Sequence, residues 1–415
     1  MKNIFKRIIV SILTFEAKLL IRRMKPQISA MTGSVGKTSI KDAVYDVFKN
    51  RMHVRKSEKS FNSELGVPLS VLGLPNAWSN PLMWLRNIID GAMLVVHPGK
   101  YPELLILEMG VDRPGDMDKL TAWIKPDVVV LTRLPDVPVH VEFFDSPESV
   151  IKEKEKLVHA LKPEGVLVFN QDDPRAAHIA SETRQQSIGY SRYSLSPFTA
   201  SADRIVYENG NIVGFEFMLT HVDRAVLCHV QGTVGVQHAY NHAAAAAVAS
   251  VFQIDIEAVA EALRDHVPPP GRMRLIQGLK DTLIIDDTYN SSPAASEQSL
   301  KTLGEIKGVK RRIAVLGDMM ELGQFSTREH ERIGTLVPRS ADKLVTIGVR
   351  ARGFSAGALR AGMDEKHMLE FPDALTAGRE LQTLIKPGDV LLVKGSQSIR
   401  AERFVEERMA EAEKA

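Results

Sequence analysis

A glycine-rich loop between an apolar stretch and a helical pattern constrains this chain most. Residues 32–39 read Thr-Gly-Ser-Val-Gly-Lys-Thr-Ser and directly follow the apolar residues 28–31. A buried strand that ends in such a loop and continues as a helix is the phosphate-binding arrangement of nucleotide-binding α/β proteins. The sequence therefore predicts an α/β fold with a mostly parallel sheet.

The residue types in this loop suit a nucleoside triphosphate. Glycine lets the backbone approach phosphate oxygens, Lys37 can reach the β- and γ-phosphates, and the Thr38 hydroxyl can hold Mg²⁺. The general pattern has glycine where this chain has Met31, so the shorter Thr-Gly-x-x-Gly-Lys-Thr form is a narrower signal. We expect ATP to contact Gly33, Ser34, Val35, Gly36, Lys37, Thr38 and Ser39.

Composition narrows the class of protein. The 415 residues allow two or three domains, and a net charge of +2 offers no global argument for nucleic acid, so we expect no such partner. A single cysteine, Cys228, excludes an internal disulfide and a cysteine-based metal cage. A reducing cytoplasm is the natural compartment for such a chain.

The first 25 residues combine apolar positions at helical spacing with seven basic residues. The longest uncharged run, Ile8–Phe15, has eight residues, whereas spanning a bilayer takes about 20. We expect no signal peptide, because a small-residue cleavage site is missing. Two interpretations stay open: residues 1–24 contact an anionic membrane surface, or they pack on the main domain.

A second apolar helix is predicted over residues 81–96. Arg86 and Asp90 lie inside it, which favours a position in the core or at an interface over one in a membrane.

Short apolar runs at residues 28–31, 104–107, 128–131 and 166–169 alternate with helical patterns from residue 27 to about 171, as in a mostly parallel sheet. Beyond residue 271 such runs return at 283–286, 313–316, 344–347 and 390–393. Over residues 201–232 the pattern predicts short strands instead, with Asn209-Gly210 as a hairpin turn. An alanine-rich helix is predicted to follow from His238. Three prolines and Gly271 form the clearest linker. We expect a basic amphipathic helix over 1–26, an ATP-binding domain with a small β-rich subdomain over 27–270, and a Rossmann-like α/β domain over 271–415.

Polar residues recur where predicted strands end, which is where open α/β sheets bind ligands. Glu108 ends the run Leu104–Leu107 and is a natural Mg²⁺ ligand, although an exposed loop acid would look the same. His140 follows the run Val128–Leu131 and can ligate a metal or orient a water molecule, but a loop histidine is usually only solvated. Lys154 lies in Lys-Glu-Lys-Glu-Lys, a run typical of a solvated helix face.

Further candidates lie beyond residue 237. Asn241 has the donor and acceptor that an adenine edge needs, with helix capping or a core hydrogen bond as the alternative. Arg272 follows the proline linker and could reach the γ-phosphate when the domains close. In the last domain, Asp287 could bind ribose hydroxyls, and Asn290 and Ser291 a small polar substrate.

Taken together, these segments resemble the Mur ligases, the ATP-dependent amide-forming enzymes of peptidoglycan synthesis. The chain is most similar to the MurF type, which adds D-alanyl-D-alanine to a UDP-linked muramoyl tripeptide. The resembling segments are 32–39, 61–68, 107–110, 140–156, 170–175, 238–241, 271–273, 286–293, 317–323 and 394–398.

The resemblance implies roles. Thr38 and Glu108 would hold one Mg²⁺, and His140 would help to hold a second, together with a lysine that is often carbamylated. Spacing from His140 selects Lys154, with Lys152 and Lys156 as alternatives. The resemblance implies four catalytic residues, Lys37, His140, Lys154 and Arg272. Beyond the loop, it implies that the nucleotide is bound by His238, Asn241, Arg272 and Asp287. It implies that the substrate is bound by Asn62, Asn290, Ser291 and Asp318.

The implied reaction begins when a substrate carboxylate attacks the γ-phosphate of ATP. An amine then displaces phosphate from the acyl phosphate. The implied partners are a muropeptide precursor and D-alanyl-D-alanine, and we expect a cytoplasmic monomer, with the inner face of the membrane as a further location. Other acid–amino-acid ligases, such as a folylpolyglutamate-synthase-like or polymer-forming enzyme, and a non-catalytic ATP-binding regulator are the alternatives.

Two departures from the family concern the substrate. The residues before the loop strand are too few for the N-terminal domain that normally holds UDP, so the sequence does not predict how the precursor is held. Val111-Asp112-Arg113 follows Gly110 where the family has a different sequence, and we expect that difference on the substrate side.

Overall fold

The computed structural model describes residues 2–58 and 61–407. The end of the last predicted domain, residues 408–415, lies outside them, as do the side chains of Lys2 and Ile4. Within the described residues the chain forms two sheets. The strands of the first sheet are β1 (Gln27–Thr32), β2 (Val54–Lys56), β3 (Leu104–Glu108), β4 (Val128–Leu131), β5 (Val166–Asn170), β6 (Gln186–Ser191), β7 (Phe198–Glu208), β8 (Asn211–His221) and β9 (Arg224–Gln231).

The second sheet follows the proline linker. Its strands are β10 (Arg274–Gly278), β11 (Thr282–Asp287), β12 (Arg311–Gly317), β13 (Lys343–Ile347), β14 (Met368–Phe371) and β15 (Asp389–Lys394). The helices of the chain are α1 (Lys2–Met24), α2 (Lys37–Phe48), α3 (Gly66–Leu72), α4 (Pro81–Val96), α5 (Asp116–Thr121), α6 (Pro147–His159), α7 (Pro174–Glu182), α8 (Gln237–Val251), α9 (Ile256–Ala262), α10 (Pro293–Glu305), α11 (Ser326–Gly334), α12 (Val337–Ser340), α13 (Arg352–Arg360), α14 (Ala374–Leu384) and α15 (Glu402–Glu406).

Strand order explains where ligands can bind. The first sheet runs β2-β3-β1-β4-β5-β6-β7-β8-β9, and only the pairs β7–β8 and β8–β9 are antiparallel. The second runs β10-β11-β15-β12-β13-β14, with only β10 antiparallel to its neighbour. The predicted α/β fold, with a mostly parallel sheet, a β-rich extension and a second α/β unit, is confirmed.

The loop strand β1 lies between β3 and β4, so the connections on its two sides diverge. Met31 is in register with Glu108 on one side and with Val130 on the other. Such a reversal of strand order opens a crevice at the carboxyl ends of the strands. The register alone thus brings Glu108 beside the glycine-rich loop.

The alanine-rich helix α8 packs against α2 and the first sheet. Every residue from Ala243 to Ala249 is buried, and the small side chains allow the backbones to approach closely. The predicted hairpin turn is also present: Asn209 and Gly210 both have positive φ, of 50° and 82°.

Helix α1 packs on α3 and α4 through a stripe that includes Ile9, Leu13 and Leu20. Helix α4 is not a core helix, which corrects that part of the expectation, because its buried residues are only Trp84, Asn87 and Gly91. No helix within residues 2–58 and 61–407 is long and apolar enough to cross a membrane.

The junction between the two sheets is hydrogen-bonded. Val234 N donates to Met273 O at 3.2 Å, and Leu275 N to Gly232 O at 2.8 Å. Gly271 has a φ of 72°, and a side chain there would overlap the backbone of Tyr289. The residue after this glycine, Arg272, is therefore held between the two sheets.

Candidate active site

The glycine-rich loop closes tightly over the end of β1. Gly33 has a φ of 133°, and a β-carbon there would collide with the Thr132 hydroxyl, so only glycine fits. Gly36, with a φ of 91°, precedes the first turn of α2. Lys37 Nζ donates to Gly33 O at 2.8 Å, which folds the side chain back over the loop. Burial lowers the pKa of Lys37, although Glu108 opposes this effect.

A hydroxyl and a carboxylate meet directly behind the loop. Thr38 Oγ1 donates to Glu108 Oε2 at 2.9 Å, and Asn62 Nδ2 donates to Glu108 Oε1 at 3.1 Å. Both Thr38 and Glu108 are buried. The structure thus brings together Thr38 and Glu108, the pair predicted to hold Mg²⁺. Asn62, which was predicted to bind the substrate, instead donates its hydrogen bond to the Glu108 carboxylate.

Sequence reasoning missed Lys41. It is 1 % exposed, and its Nζ lies 3.8 Å from Glu108 Oε2. Lys41 is one helical turn after Lys37, a spacing that places both on the same side of α2 and would have pointed to it. Burial lowers the pKa of Lys41, although the nearby Glu108 opposes this effect.

Lys154 lies beneath the loop. Its Nζ donates to Ser34 Oγ at 2.7 Å, and the residue is 2 % exposed. Burial, together with the nearby Lys37, holds the pKa of Lys154 well below its usual range. The two alternatives are placed elsewhere: Lys152 is exposed, and Lys156 bonds Asp118 and Glu153.

His140 lies between two carboxylates. Its Nδ1 is 2.6 Å from Glu321 Oε2, across the gap between the two sheets, and its Nε2 is 3.6 Å from Asp112 Oδ1. Asp112, expected on the substrate side, lines the same cavity as Lys37. Neither Asp112 nor Glu321 was singled out as a site residue from the sequence.

Most of these residues, but not Lys41 or Lys154, line a cavity of about 380 Å³, which we call the loop cavity. Arg272 lines it from the junction, with Nη2 3.5 Å from Thr38 Oγ1 and its guanidinium 4.2 Å from the ring centre of Tyr289. The loop cavity therefore receives side chains from both halves of the chain. Its lining includes Ser34, Lys37, Thr38, Asn62, Glu108, Asp112, His140, Arg272, Tyr289, Asn290 and Glu321.

A second group of cavities lies on the other side of Gly36. This group consists of two cavities, and Asn241 lines both of them. The larger cavity, of about 280 Å³, is also lined by Tyr193 and Tyr240, which sequence analysis missed. An aromatic-lined cavity with a buried amide suits a purine base. His238 lines the smaller cavity, where burial lowers its pKa to about 3 and keeps it neutral.

Asp287 is also in the smaller cavity but is already paired. Lys394 Nζ donates to it at 2.6 Å and Ser299 Oγ at 2.7 Å. Lys394 also donates to Asn290 O at 3.0 Å, which ties down the loop that carries Asn290 and Ser291. Lys394 lies in one of the segments that resemble the family, 394–398, but the sequence assigned it no role.

Asp318 is placed apart from the other predicted substrate residues. Its carboxylate accepts a hydrogen bond from Ala351 N at 2.7 Å, just before α13. The backbone oxygen of Asp318 accepts from Ser396 N at 3.1 Å, and Ser396 lines the loop cavity. Asp318 therefore supports the cavity wall from behind.

The residues of the loop cavity fit Mg²⁺ better than a metal that needs many protein ligands. Within residues 2–58 and 61–407, no group of three or more His, Cys, Asp or Glu side chains is placed to hold a metal ion. Mg²⁺ is usually bound by one or two protein oxygens together with substrate phosphates and water. The Thr38 hydroxyl and the Glu108 carboxylate are such a pair.

Comparison with known families places the chain. The Mur ligase middle domain matches residues 31–249, and the Mur ligase glutamate ligase domain matches residues 271–397. The first match alone covers more than half of the chain. The chain belongs to the Mur ligase family. The resemblance noted in the sequence is confirmed.

Relatives of this chain carry the name UDP-N-acetylmuramoyl-tripeptide–D-alanyl-D-alanine ligase. The protein of Bacillus subtilis (strain 168) is 26% identical over 396 residues, which are 94% of this chain and 78% of the relative. The protein of Mycobacterium leprae is 31% identical over 395 residues, 90% of this chain and 71% of the relative.

Solved Mur ligases share the fold. MurF ligase from Thermotoga maritima, in complex with ADP, superposes with a TM-score of 0.77 at 26% identity, covering 96% of this chain and 83% of that one. Two more distant structures show the fold alone. They are MurF from Acinetobacter baumannii, with a TM-score of 0.79 at 22% identity, and Mycobacterium tuberculosis folylpolyglutamate synthase, with 0.66 at 14%.

Proposed function

We propose that this Mur ligase joins D-alanyl-D-alanine to a muramoyl tripeptide precursor of peptidoglycan, with ATP as the energy source. The names of the relatives from Bacillus subtilis and Mycobacterium leprae support the substrates. The observation that carries the proposal is the loop cavity, where Lys37, Thr38 and Glu108 meet Arg272 from the other half of the chain.

In the first step a carboxylate of the precursor attacks the γ-phosphate of ATP. An acyl phosphate forms, and ADP is the leaving group. Lys37 and Arg272 offset the charge on the transferring phosphoryl group from two sides. Thr38 and Glu108 would hold Mg²⁺, which when bound supplies further positive charge to the phosphate oxygens.

In the second step the amine of D-alanyl-D-alanine attacks the acyl carbon, and phosphate leaves. Asn290 and Ser291 lie at the carboxyl end of β11, beside the loop cavity, where they can orient the amine component. Because both halves line the loop cavity, their closure on bound substrates would exclude water, which would otherwise hydrolyse the acyl phosphate.

Lys154 supports a carbamate. A neutral amine adds carbon dioxide and releases a proton, so a lysine whose pKa is lowered by burial is suited to the reaction. Without the carbamate, the charged amines of Lys154 and Lys37 would repel each other. The carbamate anion would instead attract Lys37. Together with His140, the carbamate would help to hold a second Mg²⁺.

We also propose that the enzyme acts in the cytoplasm as a monomer, at the inner face of the membrane, with residues 1–24 in contact with lipid.

Phosphate release from ATP tests the proposed reaction. We expect release only when the muramoyl tripeptide precursor and D-alanyl-D-alanine are both present, together with Mg²⁺. Release without them, nucleotide binding without turnover, or release with a folate and glutamate instead would contradict the proposed reaction.

A further inference from the structure

Helix α4 presents an apolar face to solvent. Its outward residues are spaced three or four apart, so they lie on one side of the helix. Their exposed fractions are large: Leu82 76%, Leu85 56%, Ile89 50%, Met93 60% and Val96 59%.

The opposite side of α4 is where the helix meets the protein, through Trp84, Asn87 and Gly91. A helix that is apolar on both sides is expected where both sides are covered. An exposed apolar patch of this kind marks a membrane or protein contact. The outward face of α4 therefore requires an occupant.

Helix α1 packs beside α4 and also carries exposed apolar residues. Phe5, Ile8 and Phe15 are exposed by 50%, 52% and 61%, and at about 100° per residue they share one side of the helix. That side adjoins the one that meets α4, because Arg23 Nη1 donates to Val95 O and Val96 O at 2.6 and 2.9 Å. The two helices are thus fastened together, each with apolar residues turned outward.

Charge on the two helices identifies the occupant. Exposed basic residues flank the apolar positions: Lys6, Arg7, Arg22, Arg23 and Lys25 on α1, and Arg86 on α4. Three of these already have partners in the chain: Lys6 lies 3.8 Å from Glu64 Oε1, Arg86 lies 3.4 Å from Asp90 Oδ2, and Arg23 donates to α4. The remaining three, Arg7, Arg22 and Lys25, are exposed, and Glu16 on α1 is buried. Apolar side chains bordered by lysine and arginine match a bilayer with anionic headgroups.

We propose that the outward faces of α1 and α4 form one docking surface for an anionic lipid bilayer. Both helices lie in the plane of the interface, with the apolar residues among the acyl chains and the basic residues on lipid phosphates. This deepens the proposed location at the membrane, extends the contact from residues 1–24 to α4, and does not depend on the ligase reaction.

Co-sedimentation of the full chain with vesicles tests the surface. The probe is an equimolar mixture of phosphatidylglycerol and phosphatidylcholine, with pure phosphatidylcholine beside it. We expect binding to the anionic vesicles that weakens with salt, and at least tenfold weaker binding to pure phosphatidylcholine. Recovery of the chain in the supernatant with both kinds of vesicle would overturn the proposal.

Two matched variants locate the contact. The triple variant Leu85→Ser, Ile89→Ser and Met93→Ser should lower the partition coefficient about tenfold or more. The control changes three exposed apolar residues elsewhere, Leu195→Ser, Val222→Ser and Val349→Ser, and should bind as the unchanged chain does. Equal binding of the two variants would show that α4 is not the docking helix.

Two further measurements separate the outcomes. Ligation of soluble substrates should be unchanged in the α4 variant, so a chain that binds vesicles without ligating refutes the proposed reaction and leaves the docking surface standing. Light scattering tests the alternative that another protein molecule covers this face, because it measures self-association of the chain. If the unchanged chain ignores vesicles but self-associates, and the α4 variant is monomeric, the face is a protein interface and the proposal is wrong.

Discussion

Lys154 Nζ donates a hydrogen bond to Ser34 Oγ at 2.7 Å, directly beneath the phosphate-binding loop. The contact joins α6 to the loop across the first sheet's crevice and places a buried lysine next to Lys37. It couples the state of one amine to the geometry of the triphosphate site.

The first prediction concerns that amine. Lys154→Ala should lower kcat/KM about 100-fold, because the proposed carbamate anion beside the phosphates is lost. Short carboxylates added to the assay should restore part of the rate by occupying the space. Lys152→Ala, which alters an exposed lysine two residues away, is the control and should keep its activity. Full activity of Lys154→Ala without added carboxylate would remove Lys154 from the site.

The second prediction concerns Glu108. Glu108→Gln should lower the rate about 100-fold and raise the Mg²⁺ concentration needed for half-maximal activity, since a charged oxygen ligand becomes neutral. A Mg²⁺ titration of phosphate release measures both effects. Glu103→Gln, at an exposed acid just before β3, should leave the titration unchanged. An unaltered Mg²⁺ requirement in Glu108→Gln would argue that the carboxylate does not hold the ion.

The third prediction concerns the contact between His140 and Glu321, which joins the two halves at 2.6 Å. A partly exposed pair of this kind contributes about 1 kcal/mol, or roughly fivefold in the population of the closed arrangement. Glu321→Ala should therefore increase the radius of gyration measured by small-angle X-ray scattering. Glu365→Ala, an exposed acid of the second half, should not. Identical scattering from both variants would show that the contact does not hold the halves together.

The fourth prediction concerns Glu16, whose carboxyl is buried against Gly91 between α1 and α4. Burial raises its pKa from 4.5 to about 7. The folded chain thus binds the proton more tightly than the unfolded chain, so the contribution of Glu16 to stability falls as pH rises from 4.5 to 7.

Glu16→Met removes this effect. At pH 8 the variant should be more stable than the unchanged chain by about 1 kcal/mol, and the gain should shrink toward pH 5. Urea unfolding at several pH values measures the difference. A gain that does not vary with pH would show that Glu16 does not titrate in this range.

Much of this protein followed from local sequence. The glycine-rich loop, the apolar runs that became β1, β3, β4 and β5, and the alanine-rich helix α8 are set by spacing and by residue chemistry over a few neighbours. The strands β2, β6, β10 and β14 were missed. Three of them are half-exposed or mixed in burial, and β2 has only three residues, so each lacks a strong apolar run.

Long-range contacts decided the rest. The charge run 152–156 is typical of a solvated helix face, yet Lys154 lies four residues after Val150 and three before Leu157, on the buried side of α6. Packing therefore places its side chain against Ser34 of the loop. From the sequence, Asp287 was expected to be available to bind ribose. In the fold, β15 places Lys394 Nζ 2.6 Å from the Asp287 carboxylate, so this group is already paired.

Local sequence was thus enough to predict the glycine-rich loop, the α/β class and the family, because each depends on residues close together in the chain. Folding of distant segments against one another sets which lysine lies under the loop, which carboxylates flank His140, and that α4 turns its apolar face outward. Those outcomes depend on burial and on contacts between residues far apart in the chain, which the spacing of residues does not reveal.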